Sequence, residues 1–150
     1  MILKTKVIRD VQAGECDDVM LAEVLAAIHT HVSGLSGSAL CRLAWALGTL
    51  GCYDTDMMVA ISSAVLPHVP SLGGRSLGSL MWSLGKLSHP EPALTDAILA
   101  RVIANSRLLP PREVALVLQG LVGTGHSASP EVLPFVLQHR ECKNRINSRN

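Results

Sequence analysis

Histidines and cysteines are the first residues in this chain that could do chemistry, and their spacing argues against a shared site. His29 and His31 lie two residues apart in a helical pattern, so they point to different faces of a helix and disfavour a metal pair. His89 and His126 follow the ends of two equivalent helices, and stacked helices place such loops roughly 10 Å apart, too far for shared metal ligation. The four cysteines lack C-x-x-C spacing. We therefore expect loop histidines, incidental or buried thiols in a reducing compartment, and no metal site.

The glycine-rich segments do not match a catalytic or nucleotide-binding motif. Residues 73–76 (GGRS) and 123–126 (GTGH) lack the P-loop lysine and the strand that precedes a P-loop. No nucleophile can be paired with a base from its spacing. The sequence therefore predicts a protein that is not an enzyme, with no cofactor and no small-molecule substrate.

Two tryptophans mark an internal repeat of 37 residues. Trp45 lies in LAWALG and Trp82 in LMWSLG, and the same offset aligns apolar positions in three successive segments. The aligned sets are Leu40, Leu77 and Val114; Leu43, Leu80 and Val117; and Leu47, Leu84 and Leu121. A fixed period of this length is typical of stacked supersecondary units that share one core. The sequence predicts an all-α protein, an α-solenoid of about four helix-turn-helix units whose first and last units are incomplete.

Each unit is predicted to contain a helix A, which carries the Trp position, and a helix B. Helix A begins at small or proline-rich residues around 36–38, 73–76 and 110–113, and helix B opens near Asp54, Glu91 and Ser129. The predicted ends of helix A are Gly51, Ser88 and Gly125.

Gly48 and Gly85 lie inside helix A, where a glycine costs roughly 1 kcal/mol relative to alanine. Their recurrence at one repeat position predicts that neighbouring helices approach closely beside the Trp.

The predicted repeat domain covers residues 1–142, and a basic tail follows at 143–150. Residues 1–14 correspond to a remnant of the first helix A, and residues 129–140 to the last helix B. No further helix follows to cover the apolar side chains of that last helix, so Val132, Phe135 and Val136 form a predicted partner interface. The chain has no apolar run of membrane-spanning length, and we expect no membrane partner.

Charges are divided unevenly between the two kinds of helix. The helix A segments hold seven Lys or Arg against two acids, whereas the helix B segments hold three against ten. Stacking like helices side by side predicts one basic and one acidic surface. Arg75 and Arg112 also hold the same position beside the N-termini of their helices, where an anion is favoured.

Helix A also carries a stripe of positions outside the predicted core, at 39, 42, 46 and 49 and their equivalents. Small, hydroxyl and cationic side chains there could let an RNA backbone come close, although an ordinary solvated face with small residues for helix packing is an alternative. The predicted RNA-binding residues are Arg42, Thr49, Arg75, Ser76, Ser79, Ser83, Lys86 and Arg112.

Residues 40–51 (LCRLAWALGTLG) and 77–88 (LGSLMWSLGKLS) resemble the first helix of octotricopeptide repeats and, more closely, of the 37-residue heptatricopeptide repeats of organellar proteins. The resemblance covers about residues 15–140, with Gln119 and Val122 replacing the Trp and Gly of the third unit.

The resemblance implies an RNA-binding α-solenoid in an organelle, mitochondrial or alternatively plastid. For so short a chain it favours a structural rRNA-binding component of a mitochondrial ribosome, with other subunits of a large ribonucleoprotein as partners. The alternatives are an organellar transcript-processing or translation factor, and a protein–protein adaptor that resembles armadillo or HEAT repeats.

Overall fold

The chain is built from α-helices. The computed structural model describes residues 18–105, 109–126 and 130, and over these residues it contains six α-helices, two short 3₁₀ helices and no strand. The α-helices are α1 Asp18–His29, α2 Gly37–Leu50, α3 Thr55–Val65, α4 Gly74–Lys86, α5 Pro92–Ala104 and α6 Pro111–Gly123. The 3₁₀ helices are Val32–Gly34 and Leu66–Ser71. The predicted all-α class is confirmed for this part of the chain.

The boundaries of the helices follow local signals. Helices α2, α4 and α6 are the A helices, and their first residues lie 37 positions apart in the chain. Each is followed by a residue in the left-handed region, with φ of 66° at Gly51, 50° at Ser88 and 79° at Gly125. A left-handed residue ends a helix because it turns the chain away from the helical path. The predicted ends of helix A are confirmed.

Four helices begin either at a residue whose side chain caps the first turn or at a proline. Asp54 caps α3, because its Oδ1 accepts a hydrogen bond of 2.8 Å from the backbone N–H of Met57. Ser36 caps α2 with a longer contact of 3.4 Å to the N–H of Ala39. Helices α5 and α6 instead begin with a proline, whose missing N–H would have no partner in the first turn.

The A helices pack side by side, with α4 in the middle. Helix α4 has its most extensive contact with α6 and its next with α2. The B helices α1, α3 and α5 pack less extensively: α3 on α2, α5 on α4, and α1 on α3. The segment Leu66–Ser71 contacts both α3 and α5, and so links successive B helices.

Glycines allow the A helices to touch through their backbones. A Cβ placed on Gly85 would collide with the backbone of Gly120, and one placed on Gly123 would collide with the backbone of Gly85. Between α2 and α4, a Cβ on Gly48 would lie 3.2 Å from the Trp82 ring and 3.3 Å from Cα of Ser83. The predicted close approach beside the Trp is confirmed. These contacts join residues about one repeat apart, so neighbouring A helices run in the same direction.

The core consists of the aligned apolar positions of both helix types. Eight of the nine aligned positions of helix A are buried, and the ninth, Leu43, is half-buried. The B helices contribute Met57, Met58, Ile61, Val65, Leu94, Ile98, Leu99 and Val102, each at most 1% exposed. The side chains are aliphatic or thioether groups, which pack densely between helices.

Several sequence predictions fall on residues that the structure does not describe. These are the remnant helix A at 1–14, all of the last helix B at 129–140 except position 130, the partner interface at Val132, Phe135 and Val136, and the tail at 143–150.

Candidate nucleic-acid interface

The four predicted phosphate-binding cations are all exposed on A helices. Arg42 lies in the middle of α2, Arg75 is the second residue of α4, Lys86 is its last, and Arg112 is the second residue of α6. Among the described residues, no carboxylate lies within ion-pair distance of any of them. Arg75 and Lys86 are at opposite ends of α4, roughly 16 Å apart at 1.5 Å per residue. The cations are therefore distributed along the A helices and do not form a single cluster.

Ser83 does not belong to the accessible surface, so its predicted RNA contact is corrected. The side chain is 0% exposed, and its hydroxyl donates a 2.7 Å hydrogen bond to the carbonyl oxygen of Ser79. The Cα and Cβ of Ser83 lie against Gly48 of the preceding A helix. A small residue is needed here because two helices meet, and its hydroxyl is used within its own helix.

The same explanation applies to most of the stripe that begins with positions 39, 42, 46 and 49, whereas Lys86, its last position in α4, is exposed. In α6 the equivalent residues Glu113, Leu116, Gly120 and Gly123 all contact the neighbouring α4. In α4 the equivalent Ser76 and Ser79 are half-buried. The stripe is thus the face with which each A helix packs on the A helix before it. The packing alternative describes Ser83 better than a ligand-binding role does.

On α2 this face has no described A helix before it. Arg42 and Thr49 are exposed there, and the Thr49 hydroxyl donates a 2.8 Å hydrogen bond to the carbonyl oxygen of Trp45. Trp45 itself is 49% exposed, whereas the equivalent Trp82 is half-buried against Gly48. Trp45 was not among the predicted site residues, because its repeat position alone does not reveal whether a neighbouring helix covers it. An exposed indole beside an arginine is a surface on which a nucleobase can stack.

Arg75 and Arg112 lie at one edge of the A helices. Because α4 and α6 are parallel and in contact, their N-termini lie at the same edge, and the backbone of Glu113 in the first turn of α6 packs against Gly78 of α4. The N-cap residues Gly73 and Pro110 provide no side-chain hydrogen bond to either helix. Unpaired N–H groups of a first turn, together with the helix dipole, attract anions. The edge therefore combines two exposed guanidinium groups with two uncapped helix ends.

Acidic side chains lie mainly on the B helices and the loops before them. Glu23, Asp56 and Asp96 are exposed, while Asp54 and Glu91 are half-buried. On the A helices the described acid is Glu113. The uneven division of charge expected from the sequence is thus present among the described side chains.

His89 is a loop residue, as predicted, but it is also buried. Only 4% of it is exposed, and its Nδ1 lies 3.2 Å from the hydroxyl oxygen of Tyr53 in the equivalent loop of the preceding unit. Its Nε2 is 3.9 Å from a carboxylate oxygen of Glu91. His29 and His31 are exposed and His126 is half-buried. Within the described residues, no group of three or more His, Cys, Asp or Glu is arranged to hold a metal ion.

The thiols in the described part of the chain are in the A helix and its loop. Cys41 is buried in α2 and Cys52 is half-buried in the loop that follows. Cys16 and Cys142 lie outside the described residues.

Over the described residues the protein is all-helical, and its three A helices form a closely packed parallel array. No described helix is both long and apolar enough to cross a membrane. No family model, no curated protein and no solved structure matches this chain.

Proposed function

We propose that this protein is a non-catalytic RNA-binding α-solenoid and, more specifically, a structural rRNA-binding component of a mitochondrial ribosome. The proposal extends the 37-residue spacing of the A helices to the whole chain, so that each unit adds one A and one B helix. Its support is the resemblance of residues 40–51 and 77–88 to organellar RNA-binding repeats, together with the charge of the A helices.

The observation that carries the proposal is that exposed, unpaired cations and acids lie on different helices. Arg42, Arg75, Lys86 and Arg112 are exposed on A helices, and among the described residues none has an acidic partner. A chain of formal net charge +1 gains no phosphate affinity from its total charge. Separation of the charges supplies a local positive field in spite of this near-neutral total.

In this proposal the RNA backbone follows the edge that holds Arg75 and Arg112. Their guanidinium groups each offer a planar fork of donors to a phosphate, and the N-terminus of α4 adds backbone N–H groups, whereas α6 begins with prolines. Trp45, Arg42 and Thr49 on α2 provide a second contact, in which an unpaired base stacks on the indole. These contacts position RNA through its backbone and bases and need neither a cofactor nor a catalytic residue.

The partners are rRNA and other subunits of a large ribonucleoprotein, and the location is mitochondrial, with the plastid as the alternative. This part of the proposal rests on the repeat resemblance. The direct measurement is the sedimentation of the protein in extracts of intact organelles after nuclease treatment. Co-sedimentation with a ribosomal subunit supports a ribosomal component, whereas free sedimentation favours a transcript-processing or translation factor.

The RNA-binding surface is tested with a charge-neutralising variant and a matched control. The variant replaces Arg42, Arg75, Lys86 and Arg112 with Gln. The control lowers the net charge by the same amount on the B helices, through Ala27→Glu, Thr55→Glu, Ser63→Glu and Ala93→Glu, all at exposed positions.

We expect wild type and control to bind a single-stranded RNA with a steep salt dependence. In the Gln variant the slope of log Kd against log salt should fall by about 3 if all four contacts are lost, at about 0.7 per phosphate contact. Equal binding by the Gln variant and the wild type would contradict the proposed surface. Circular dichroism checks that both variants remain folded.

A protein–protein adaptor is the second candidate, and exposed apolar side chains favour it. Trp45 and Tyr53 are about half exposed, and Leu50 is 37% exposed, on α2 and the loop after it. Exposed large apolar groups often mark partner interfaces. An adaptor would keep its partners after nuclease treatment and in the Gln variant, and would lose them on Trp45→Ala.

A further inference from the structure

A cavity of about 180 Å³ lies between the N-terminus of α4 and the C-terminal end of α5. Its walls include Gly73 and Gly74, the polar residues Arg101 and Asn105, and apolar residues such as Leu77. We propose that this cavity binds a phosphate group.

Arg101 provides the first argument, because its Nε is a buried hydrogen-bond donor without an acceptor. The residue is half-buried. Its Nε is inaccessible to solvent and has no hydrogen-bond partner, and among the described residues no acid lies within ion-pair distance of its guanidinium. Leaving a charged donor unpaired in a buried position is costly. A tetrahedral oxyanion supplies acceptors that match the planar guanidinium fork.

The start of α4 supplies the second group of donors. The first N–H groups of a helix have no partner within the helix, and the N-cap residue Gly73 has no side chain that could accept from them. A Cβ on Gly74 would press on the end of the Leu109 side chain, so a larger residue there would require Leu109 to shift. The only hydrogen bond of the Asn105 amide nitrogen among the described residues is to the Arg101 carbonyl oxygen, at 2.9 Å, so it closes the end of α5. Cation and backbone donors thus converge on one space from two helices.

An arginine near the end of a B helix beside an A helix without a side-chain cap occurs at one place among the described units. At the position equivalent to Arg101, one repeat earlier, α3 carries Ala64. The preceding A helix is capped by the Ser36 side chain, which occupies an N–H of the first turn. The sequence pattern does not single out Arg101, and only the approach of α4 and α5 makes it a candidate binding residue.

The source of the phosphate is either the backbone of bound RNA or a free phosphate compound, and the RNA case rests on the function proposed above. The first measurement needs no RNA. Inorganic phosphate is titrated at constant ionic strength against wild type, Arg101→Met and the control Ser63→Glu, which lowers the net charge by the same amount at an exposed position of α3, with thermal stability and calorimetric affinity as readouts.

We expect phosphate to raise the melting temperature of wild type and of Ser63→Glu. Phosphate should bind Arg101→Met at least about tenfold more weakly than wild type, the loss expected for a charge-assisted hydrogen bond. Without phosphate, Arg101→Met should be at least as stable as wild type, because it removes an unpaired charge. Arg101→Gln is measured in parallel and should behave likewise. Equal phosphate binding by wild type and Arg101→Met, or a marked loss of stability without phosphate, would show that Arg101 is structural and overturn the site.

RNA then distinguishes the two sources. If the ligand is the RNA backbone, phosphate competes with single-stranded RNA, and Arg101→Met lowers the slope of log Kd against log salt by about 0.7. If phosphate binds and RNA does not, the cavity serves a free phosphate compound, so this inference stands and the proposed RNA-binding function fails. If RNA binds wild type and Arg101→Met alike and phosphate has no effect, the function stands and the cavity is not a phosphate site.

Discussion

Gly120 lies where α6 comes into backbone contact with α4. A Cβ at this position would meet the carbonyl group of Met81, and backbone atoms cannot move aside as the end of a flexible side chain can. In an exposed helix interior a glycine-to-alanine change would favour the helix by roughly 1 kcal/mol. At Gly120 the steric conflict exceeds that gain, so the residue is required by its neighbour and not by its own helix.

We expect Gly120→Ala to lower the free energy of unfolding by about 1–3 kcal/mol, the usual cost of overpacking a close contact. Urea denaturation followed by circular dichroism measures the change. Gly34→Ala is the control, because a Cβ there meets nothing within 4 Å, and its effect should be neutral or slightly stabilising. A stable Gly120→Ala protein would contradict the backbone contact of α4 with α6.

Cys41 shows how burial changes the chemistry of a single group. Burial raises the pKa of its thiol to about 11 from 9.0, against a smaller opposing effect of a backbone hydrogen bond. Because the folded pKa is the higher one, the thiol stays protonated in the folded chain as the pH rises from 9 to 11, and folding is progressively weakened over that window. A protonated thiol is a poor nucleophile.

We therefore expect Cys41 to resist alkylation in the folded protein. At pH 8 about one Cys41 thiol in a thousand is ionised, and its burial also excludes the reagent. Iodoacetamide labelling followed by peptide mass spectrometry measures the rate, with the urea-denatured chain as reference. Labelling of native Cys41 at the rate of the denatured chain would show that it is accessible.

At the scale of the element, the ends of the A helices differ in how well their residues suit the backbone. Gly51, Ser88 and Gly125 hold equivalent positions and all have a positive φ. The left-handed conformation carries no steric cost for glycine and costs other L-residues roughly 1–2 kcal/mol. Ser88 is exposed, so nothing in its packing requires a serine there.

We expect Ser88→Gly to raise the free energy of unfolding by up to about 1 kcal/mol, because it relieves this cost at the end of α4. The reverse change, Gly51→Ser at the end of α2, should lower it by a similar amount. Thermal unfolding of the two variants provides a matched comparison. If both changes shifted the melting temperature in the same direction, the left-handed helix ends would not be the cause.

At the scale of the whole molecule, α4 joins the other two described A helices. It packs on both α2 and α6, and Leu84 in its last turns is fully buried. In a stack of helices each unit is stabilised mainly by its neighbours, so damage to the central helix reaches both sides. Stability is therefore a property of the stack more than of any one helix.

We expect Leu84→Ala to lower the free energy of unfolding by about 2–5 kcal/mol, as large-to-small changes in well-packed cores do. Leu50→Ala, at a position 37% exposed on α2, should cost less than about 1 kcal/mol. Hydrogen exchange should show protection lost in both α2 and α6 of the Leu84 variant. Loss confined to α4 would show that the helices unfold independently.

The sequence by itself determined the elements and most of the core. Apolar spacing, first-turn prolines and the residues at Gly51, Ser88 and Gly125 act within a few positions of the chain, so they could be interpreted without knowing any neighbour. The glycines Gly48 and Gly85 further predicted close contact between helices. The charge division was equally visible, because it depends only on which helix a residue belongs to.

The tertiary structure alone decided which face of each A helix is covered. Ser83 and Arg42 hold neighbouring places on one stripe, yet Ser83 is buried and Arg42 is exposed, because α4 has an A helix before it and α2 has none among the described residues. Small side chains suit both close helix packing and access for a ligand, so composition could not separate the two. Arg101 became a candidate site only when two helix ends met around it, since helical periodicity shows which residues share a face but not what lies opposite that face.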